Sequence, residues 1–400
     1  MDACSFVVAL IVSAPAWGSS GPVPQVDRET QTRVFQELWG EDFVWKYDDL
    51  PTQGVVPEFR MPYAGYIYPD SIGGTYQSLQ KYDQAFHQGR NRAAAFEQSD
   101  IAAHKQVITR QVRSGRGRFS RTSTVQAYGT PYWHGHCNGW AAAAIRHGEP
   151  RQSVTKNGVT FAPSEIKGLL AELYTYSDIM DLGGENYGNV HPGTLHAVLA
   201  NWLGRHSHPI AMEATPGREK WNYPIYSYAS SAAKRSGGRQ VEVKTNIKYA
   251  SNINREQDQA PPNAKTKYFH YMLELDSSGN VSGGYYFRDS SQIDLLWVAR
   301  FPAPGGQEGN KQGNPHLDVN EVLSLWRQSV DQDLADKWVN VEPVRRDRTA
   351  IAQNPPAAES VVHADPNATA PRDNATAAPL NLPNLTGLDG SSATVGVNGP

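Results

Sequence analysis

The 400-residue chain predicts an α+β fold, with helices concentrated early and antiparallel strands late. Three observations carry this. Residues 76–103 contain few helix breakers, and residues 163–174 place Ile166, Leu169, Leu170 and Leu173 at helical spacing. Across 209–296, β-prone runs at 225–228, 241–249, 268–275 and 284–287 are separated by Gly, Pro, Asn and Asp clusters. Helices followed by a succession of strands is the pattern of segregated layers rather than of a parallel, doubly wound sheet.

A net charge of −3 gives no electrostatic footprint for nucleic acid. Arg110, Arg113, Arg116, Arg118 and Arg121 do cluster, but Gly and Ser interrupt them and no aromatic series accompanies them, so they read as a solvated linker. No nucleic-acid partner is expected. No run approaches the roughly 18 apolar residues of a membrane helix, so no membrane span is expected.

Taken in order, the elements begin with a short apolar run at 6–12, followed by Ala14-Pro15-Ala16. That is the small-residue pattern of a signal-peptidase site, although Asp2 stands where a basic residue is usual. Residues 1–16 are expected to be a signal peptide, and the mature protein secreted or periplasmic. Residues 27–118 read as an N-terminal region, aromatic at first and then mostly helical, and residues 119–345 as a catalytic domain. Within the latter, the alanine run after Cys137 should be helical through Arg146. Ser164 is placed to cap the 163–174 helix, with Lys167 where a capping box wants an acid. Pro192 opens and Gly204 ends another helix, whose buried stripe is Leu195, Val198, Leu199, Trp202 and Leu203. Residues 346–400, rich in Pro, Ala, Asn and Thr, are expected to be disordered; Asn367, Asn374 and Asn384 there lie in N-x-T sequons.

The chain has two cysteines, Cys4 and Cys137. Signal removal would leave Cys137 alone, either kept for reactivity or buried as a small hydrophobe. At a helix start a thiol meets the positive end of the dipole and free backbone N–H groups, which are expected to lower its pKa and could also hold a tetrahedral oxyanion. Gly135 and Gly139 would let a substrate backbone approach, and Trp133 and Trp140 would wall a groove. A competing reading gathers His134, His136, Cys137 and His147 as zinc ligands, but their spacing fits no common zinc pattern.

A nucleophilic cysteine needs a base, and two histidines compete. His196 lies in the 192–204 helix and is either the base or a hydrogen-bonded core histidine. His270 lies in a hairpin centred between Gly279 and Asn280, where partner numbers sum to a constant, so it should face Asp289. That carboxylate could hold the imidazole as a Cys-His-Asp triad does, or the two could form an exposed cross-strand ion pair.

In this order, LWGEDFVWKYDDLP, RMPYAGYIYPD, HCNGWAAAAI, NGVTFAPSEIKGLLAELY, HPGTLHAVLANWLG, KWNYPIYSY, LELDSSGNVSGG and DLLWV resemble the motifs of the transglutaminase elicitor family of oomycetes and marine bacteria, over most of 38–298. Trp221, Asn222 and Pro224 match the Trp-Asn-x-Pro core by which plants recognise oomycete members. Asn138 departs from the His usual in relatives, and Tyr285 and Tyr286 from the usual Glu-Trp pair. The resemblance implies a papain-like core, Cys137 as nucleophile with His196 in a shared motif, and calcium dependence, although no carboxylate loop for calcium is visible.

The function so expected is a protein-glutamine γ-glutamyltransferase acting on proteins with accessible Gln and Lys, with Trp221 in its substrate groove. A secreted papain-like cysteine protease would use the same residues with water as acceptor. A non-enzymatic recognition module would instead need residues 221–228 exposed and Cys137 inaccessible.

Overall fold

In a computed structural model, which describes residues 20–114, 120–184, 189–260, 263–299 and 313–335, the late strands join one large sheet. The elements before the cysteine are β1 (Gly21–Pro22), α1 (Gln25–Trp39), β2 (Gln53–Val55), α2 (Tyr76–Phe86), α3 (Ala93–Ala103), β3 (Gln106–Ser114) and β4 (Arg121–Gly129). Then follow α4 (Cys137–Arg146), β5 (Val154–Lys156), β6 (Val159–Phe161), α5 (Pro163–Thr175), β7 (Ile179–Gly184), and α6 (Pro192–Val198), which continues as a π-helix over Leu199–Arg205. The last are β8 (Ile210–Glu213), β9 (Asn222–Lys234), β10 (Gln240–Ala250), β11 (Ala264–Leu275), β12 (Val281–Tyr286), β13 (Leu295–Ala299) and α7 (Val319–Ser329).

The large sheet runs β1-β12-β11-β10-β9-β8-β13-β7, and β2 also pairs with β9. Its pairings are all antiparallel. Side chains alternate across a strand. Ile210 and Met212 of β8 and Leu296 and Val298 of β13 therefore enter one core with residues of α1 and α6, such as Phe35 and Trp202. Ala211, Leu295, Trp297 and Ala299 enter a second core with α2, α3, α4, α5 and α7. Two helical layers thus cover the sheet, which explains why 295–299 is apolar without interruption.

Local chemistry sets the helix ends. The Asp83 carboxylate of α2 accepts from the Ala93 and Ala94 N–H groups (3.0 Å each), so it caps α3 and fixes the break inside 76–103. On α5, Pro163 takes the first position and Glu165 accepts the Ala162 N–H (2.7 Å). The expected Ser164 cap is therefore displaced by two positions, to Ala162, and Lys167 is buried against Glu149 (2.5 Å). The alanines of α4 are buried and let it lie close to both sheet and α5. A Cβ on Gly139 would stand 2.1 Å from the Ala171 carbonyl oxygen.

The boundary expected at 118/119 lies outside the described residues; on either side of it in sequence, β3 and β4 pair as a two-stranded ribbon of mostly exposed residues. The region before it is not separate. It gives β1 and β2 to the sheet and α1 to the first core. The segment expected to be a signal peptide, with Cys4, and the C-terminal segment with its sequons lie outside the described residues. Among those described, no helix is long and apolar enough to cross a membrane.

The partition into two cores has a measurable consequence. Trp202 is fully buried against Phe35, Trp39 and His208 in the first core. Trp202→Ala should lower stability by about 3–5 kcal/mol in urea denaturation, while the iodoacetamide rate of Cys137 in the folded protein stays unchanged.

Candidate active site

Cys137 is the first residue of α4, 5% exposed, and its sulfur lies against the first residue of β9. Its thiol donates to the Lys220 carbonyl (3.5 Å), and the Asn222 amide donates to the sulfur (3.7 Å). The other end of that amide is held by the Trp297 indole N–H, which donates to Asn222 Oδ1 (2.9 Å). Asn222 pairs with Glu213, and Glu213 with Leu295, so these three form one row across β9, β8 and β13. The row forms part of the wall of an open cavity of about 370 Å³ that reaches Cys137, with Trp133 and His134 also in its wall.

Burial pushes the Cys137 thiol up, and the Glu213 carboxylate adds to that; the backbone and side-chain N–H groups of Asn222 and the Asn138 N–H pull it down. Burial wins. The lowered pKa expected from the helix start is therefore not found, because desolvation of the anion outweighs the donors. His134, by contrast, is only partly buried, and burial together with nearby His104 lowers its pKa, which leaves it neutral at pH 7.

Behind the cysteine, His136 is locked in a buried acidic cage. Nε2 lies 3.0 Å from Glu97 Oε1 and 3.8 Å from Asp70 Oδ1, and Nδ1 lies 2.7 Å from Thr175 Oγ1 and 3.4 Å from Glu172 Oε2. Thr175 spends its own proton on the Ala171 carbonyl (2.8 Å), so both ring nitrogens donate and the ring is an imidazolium. Burial alone would depress it, but Glu97, Glu172 and Asp70 raise it to about 9. Burial raises the Glu172 carboxyl to about 7, helped by the Glu97 charge. For Glu97, burial is outweighed by His136 and Thr75, and the net shift is downward.

Among the described residues, Glu97, His136 and Glu172 are the group of three His, Cys, Asp or Glu side chains whose ligand atoms converge, within 4.8 Å of one another. They do not fit calcium, which takes six or more oxygen ligands at about 2.4 Å. One donor is a nitrogen, and Glu172 is already engaged by Thr75 (2.7 Å) and Asn314 (3.0 Å).

The start of a helix at Cys137 is as the alanine run led one to expect, the residue borders an open cavity, and the family comparison falls on the same segment. Residues 35–184 match the model of the transglutaminase elicitor family. The matched segment contains Glu97, His136, Cys137 and Glu172 and ends before β8 and β9. The crystal structure of the GP42 transglutaminase from Phytophthora sojae is similar in fold, with a TM-score of 0.61 at 22% identity, covering 77% of this chain and 99% of that one. No curated protein matches in sequence.

The structure does not bring His196 or His270 to Cys137. His196 is in the first core, across the sheet, where Nδ1 meets the Tyr271 hydroxyl (2.9 Å), Tyr47 stacks on the ring, and burial drives its pKa to about 4. His270 is a sheet residue paired with Lys244, which pairs with Ser231, nine positions along β9 from Asn222. At about 3.3 Å per residue that is roughly 30 Å from Cys137. Asp289 does reach His270 (2.9 Å), and Glu242 holds its other nitrogen (3.0 Å), but the register differs from a simple hairpin. The N–H next to the His270 carbonyl is that of Phe287, and a bulge lies between Glu274 and Leu275. His147, from the zinc reading, bonds the Tyr174 hydroxyl (2.7 Å) in the second core.

Of the expected groove residues, Trp133 lines the cavity. Trp140 is buried instead, with its indole N–H on the Tyr63 carbonyl (3.2 Å). Trp221 is half-buried beside Tyr132, between the two residues that touch Cys137. Gly135 and Gly139 admit the protein's own backbone rather than a substrate's: a Cβ on Gly135 would come within 2.7 Å of the Ile67 carbonyl oxygen. The acids around His136 were not found from sequence, since they come from three separate elements. Asn222 was visible only as part of a motif.

The cage makes a pH prediction. His136 titrates at 6.5 unfolded and about 9 folded, so its contribution is fully present below pH 6.5 and is lost as pH rises through 9. Glu172, raised from 4.5 to about 7, has the same sign. Urea denaturation should show stability falling from pH 6.5 to 9. His136→Gln should remove the upper part of that fall and lower stability at pH 7 by about 3–5 kcal/mol, because two buried carboxylates lose their cation.

Proposed function

We propose that the protein is a protein-glutamine γ-glutamyltransferase whose nucleophile is Cys137. The observation that carries the reading is the cavity lined in part by Cys137 at the start of α4, inside the segment matching the transglutaminase elicitor family. A cysteine at a helix start against an antiparallel sheet also fits a papain-like arrangement, and export from residues 1–16 belongs to the same reading.

In this mechanism His134 takes the thiol proton as the sulfur bonds to the glutamine carboxamide carbon and the carbonyl π pair moves to oxygen. Collapse of the tetrahedral adduct expels ammonia, which takes the proton back from His134 and leaves a thioester. A lysine amine then attacks the thioester carbon, gives its proton to His134, and the thiolate departs and is reprotonated. The neutral state of His134 and its place in the cavity wall support this role. Asp70 and Asp100 in the same wall favour entry of an ammonium rather than water alone.

The non-enzymatic alternative is less well supported. Asn222, Pro224, Ile225, Tyr226 and Tyr228 are buried rather than displayed, while Cys137 has a cavity.

The test is incorporation of a labelled primary amine into a glutamine peptide. Parent protein should incorporate it and Cys137→Ser should lose about a thousandfold or more, with melting unchanged. A Ser variant as active as the parent would sink the nucleophile. Among the histidines, His134→Gln should abolish incorporation at pH 7 whereas His196→Gln should lower melting and leave the per-molecule rate of the folded protein intact. The reverse pattern would return the base to the far side of the sheet.

A further inference from the structure

We infer that Asn222 is a catalytic residue: its side-chain amide, fixed by Trp297, is the donor that makes the buried Cys137 sulfur able to carry negative charge. The inference rests on the acyl-transfer reading for its kinetic part only.

The geometry leaves the amide one orientation. Asn222 is 8% exposed and Trp297 2%. An indole N–H can only donate, so the atom it meets at 2.9 Å must be the amide oxygen. The NH₂ end is thereby turned to the sulfur at 3.7 Å. A flipped amide would set N–H against N–H at Trp297 and oxygen against sulfur at Cys137, both unfavourable when buried. Two further constraints hold the residue. Its backbone pairs with Glu213 in β8, and Trp297 comes from β13, the strand on the other side of β8. The donor is thus mounted on three strands rather than on a loop, which is the support a preorganised charge-stabilising group needs.

The need for such a donor is equally visible. The sulfur is largely removed from water, the Glu213 carboxylate lies on the same sheet face, and the Lys220 carbonyl oxygen accepts from the thiol and repels the thiolate. Against these stand the N–H groups of Asn222 and Asn138. Backbone donors survive any substitution. The Asn222 side chain is the part of the set that sequence can remove.

The experiment measures the pH dependence of iodoacetamide alkylation at Cys137, which needs no substrate, alongside kcat and KM for amine incorporation. It uses the full chain as parent, Asn222→Ala, Asn222→Asp and Trp297→Phe. Asn222→Asp keeps the shape and an oxygen for Trp297 but turns a carboxylate to the sulfur, so it remains informative where Asn222→Ala fails to fold. Alkylation at pH 7 should slow about tenfold in Asn222→Ala and more in Asn222→Asp, with the profile displaced to higher pH. Trp297→Phe should give an intermediate displacement, because the amide is no longer held. The kcat should fall in parallel while KM stays within about twofold. An alkylation profile unchanged in folded Asn222→Asp overturns the inference. Displaced profiles with no incorporation in any protein, the parent included, leave the Asn222 assignment standing and overturn the acyl-transfer reading.

Discussion

Strands β8 and β13 are buried on both faces, and this constraint divides the molecule. Each successive side chain must enter one core or the other, so a change of register by one residue would exchange Ile210 and Met212 for Ala211 and Glu213. The floor of the cavity is consequently as well determined as the hydrophobic interior. Asn222, Glu213 and Leu295 stand in a row because their strands are paired, and Cys137 meets that row because α4 is pressed on it through small side chains.

Around this floor the balance is between desolvation and local donors. Cys137 and His136 are adjacent in sequence and both buried, yet burial decides one and not the other. The sulfur has neutral N–H dipoles as partners, worth less than the lost hydration. The imidazole has carboxylates on both sides and two donors to satisfy them, which reverses the sign. A charged residue locked at that position also anchors the turn into α4, so the position of Cys137 depends on an ionic contact that takes no part in the proposed chemistry.

Much of the fold was legible. The alanine run gave α4 its full length, and β8 to β12 lie in the region where β-prone runs alternate with turn residues, whereas β3 and β4 take in Arg110, Arg113 and Arg121 of the run read as a linker and β7 was not expected. Short β1 and β2 were not, since two or three residues such as Gly21–Pro22 carry no period. Register was partly legible: His270 and Asp289 do meet, but through the chain beyond β12 rather than opposite each other, since a bulge is invisible to arithmetic on residue numbers. The place of Cys137 and Trp133 at one cavity was legible, whereas His196 was expected beside the cysteine and lies across the sheet. Helical periodicity shows that α6 buries one side, not which side of the sheet it covers. The acid cage was beyond reach because Glu97, His136 and Glu172 are far apart in sequence and meet only through packing.

The exposed β3–β4 ribbon joins two halves that each supply part of the site, with Asp70 and Glu97 before it and His136 and Cys137 after it. A single cleavage in the ribbon would cut no contact of either core. The product would be a nicked complex of two fragments, held by α1 and β2 on the sheet and by Glu97 on His136. Its unfolding would become a dissociation, so its stability would depend on protein concentration where that of the intact chain does not.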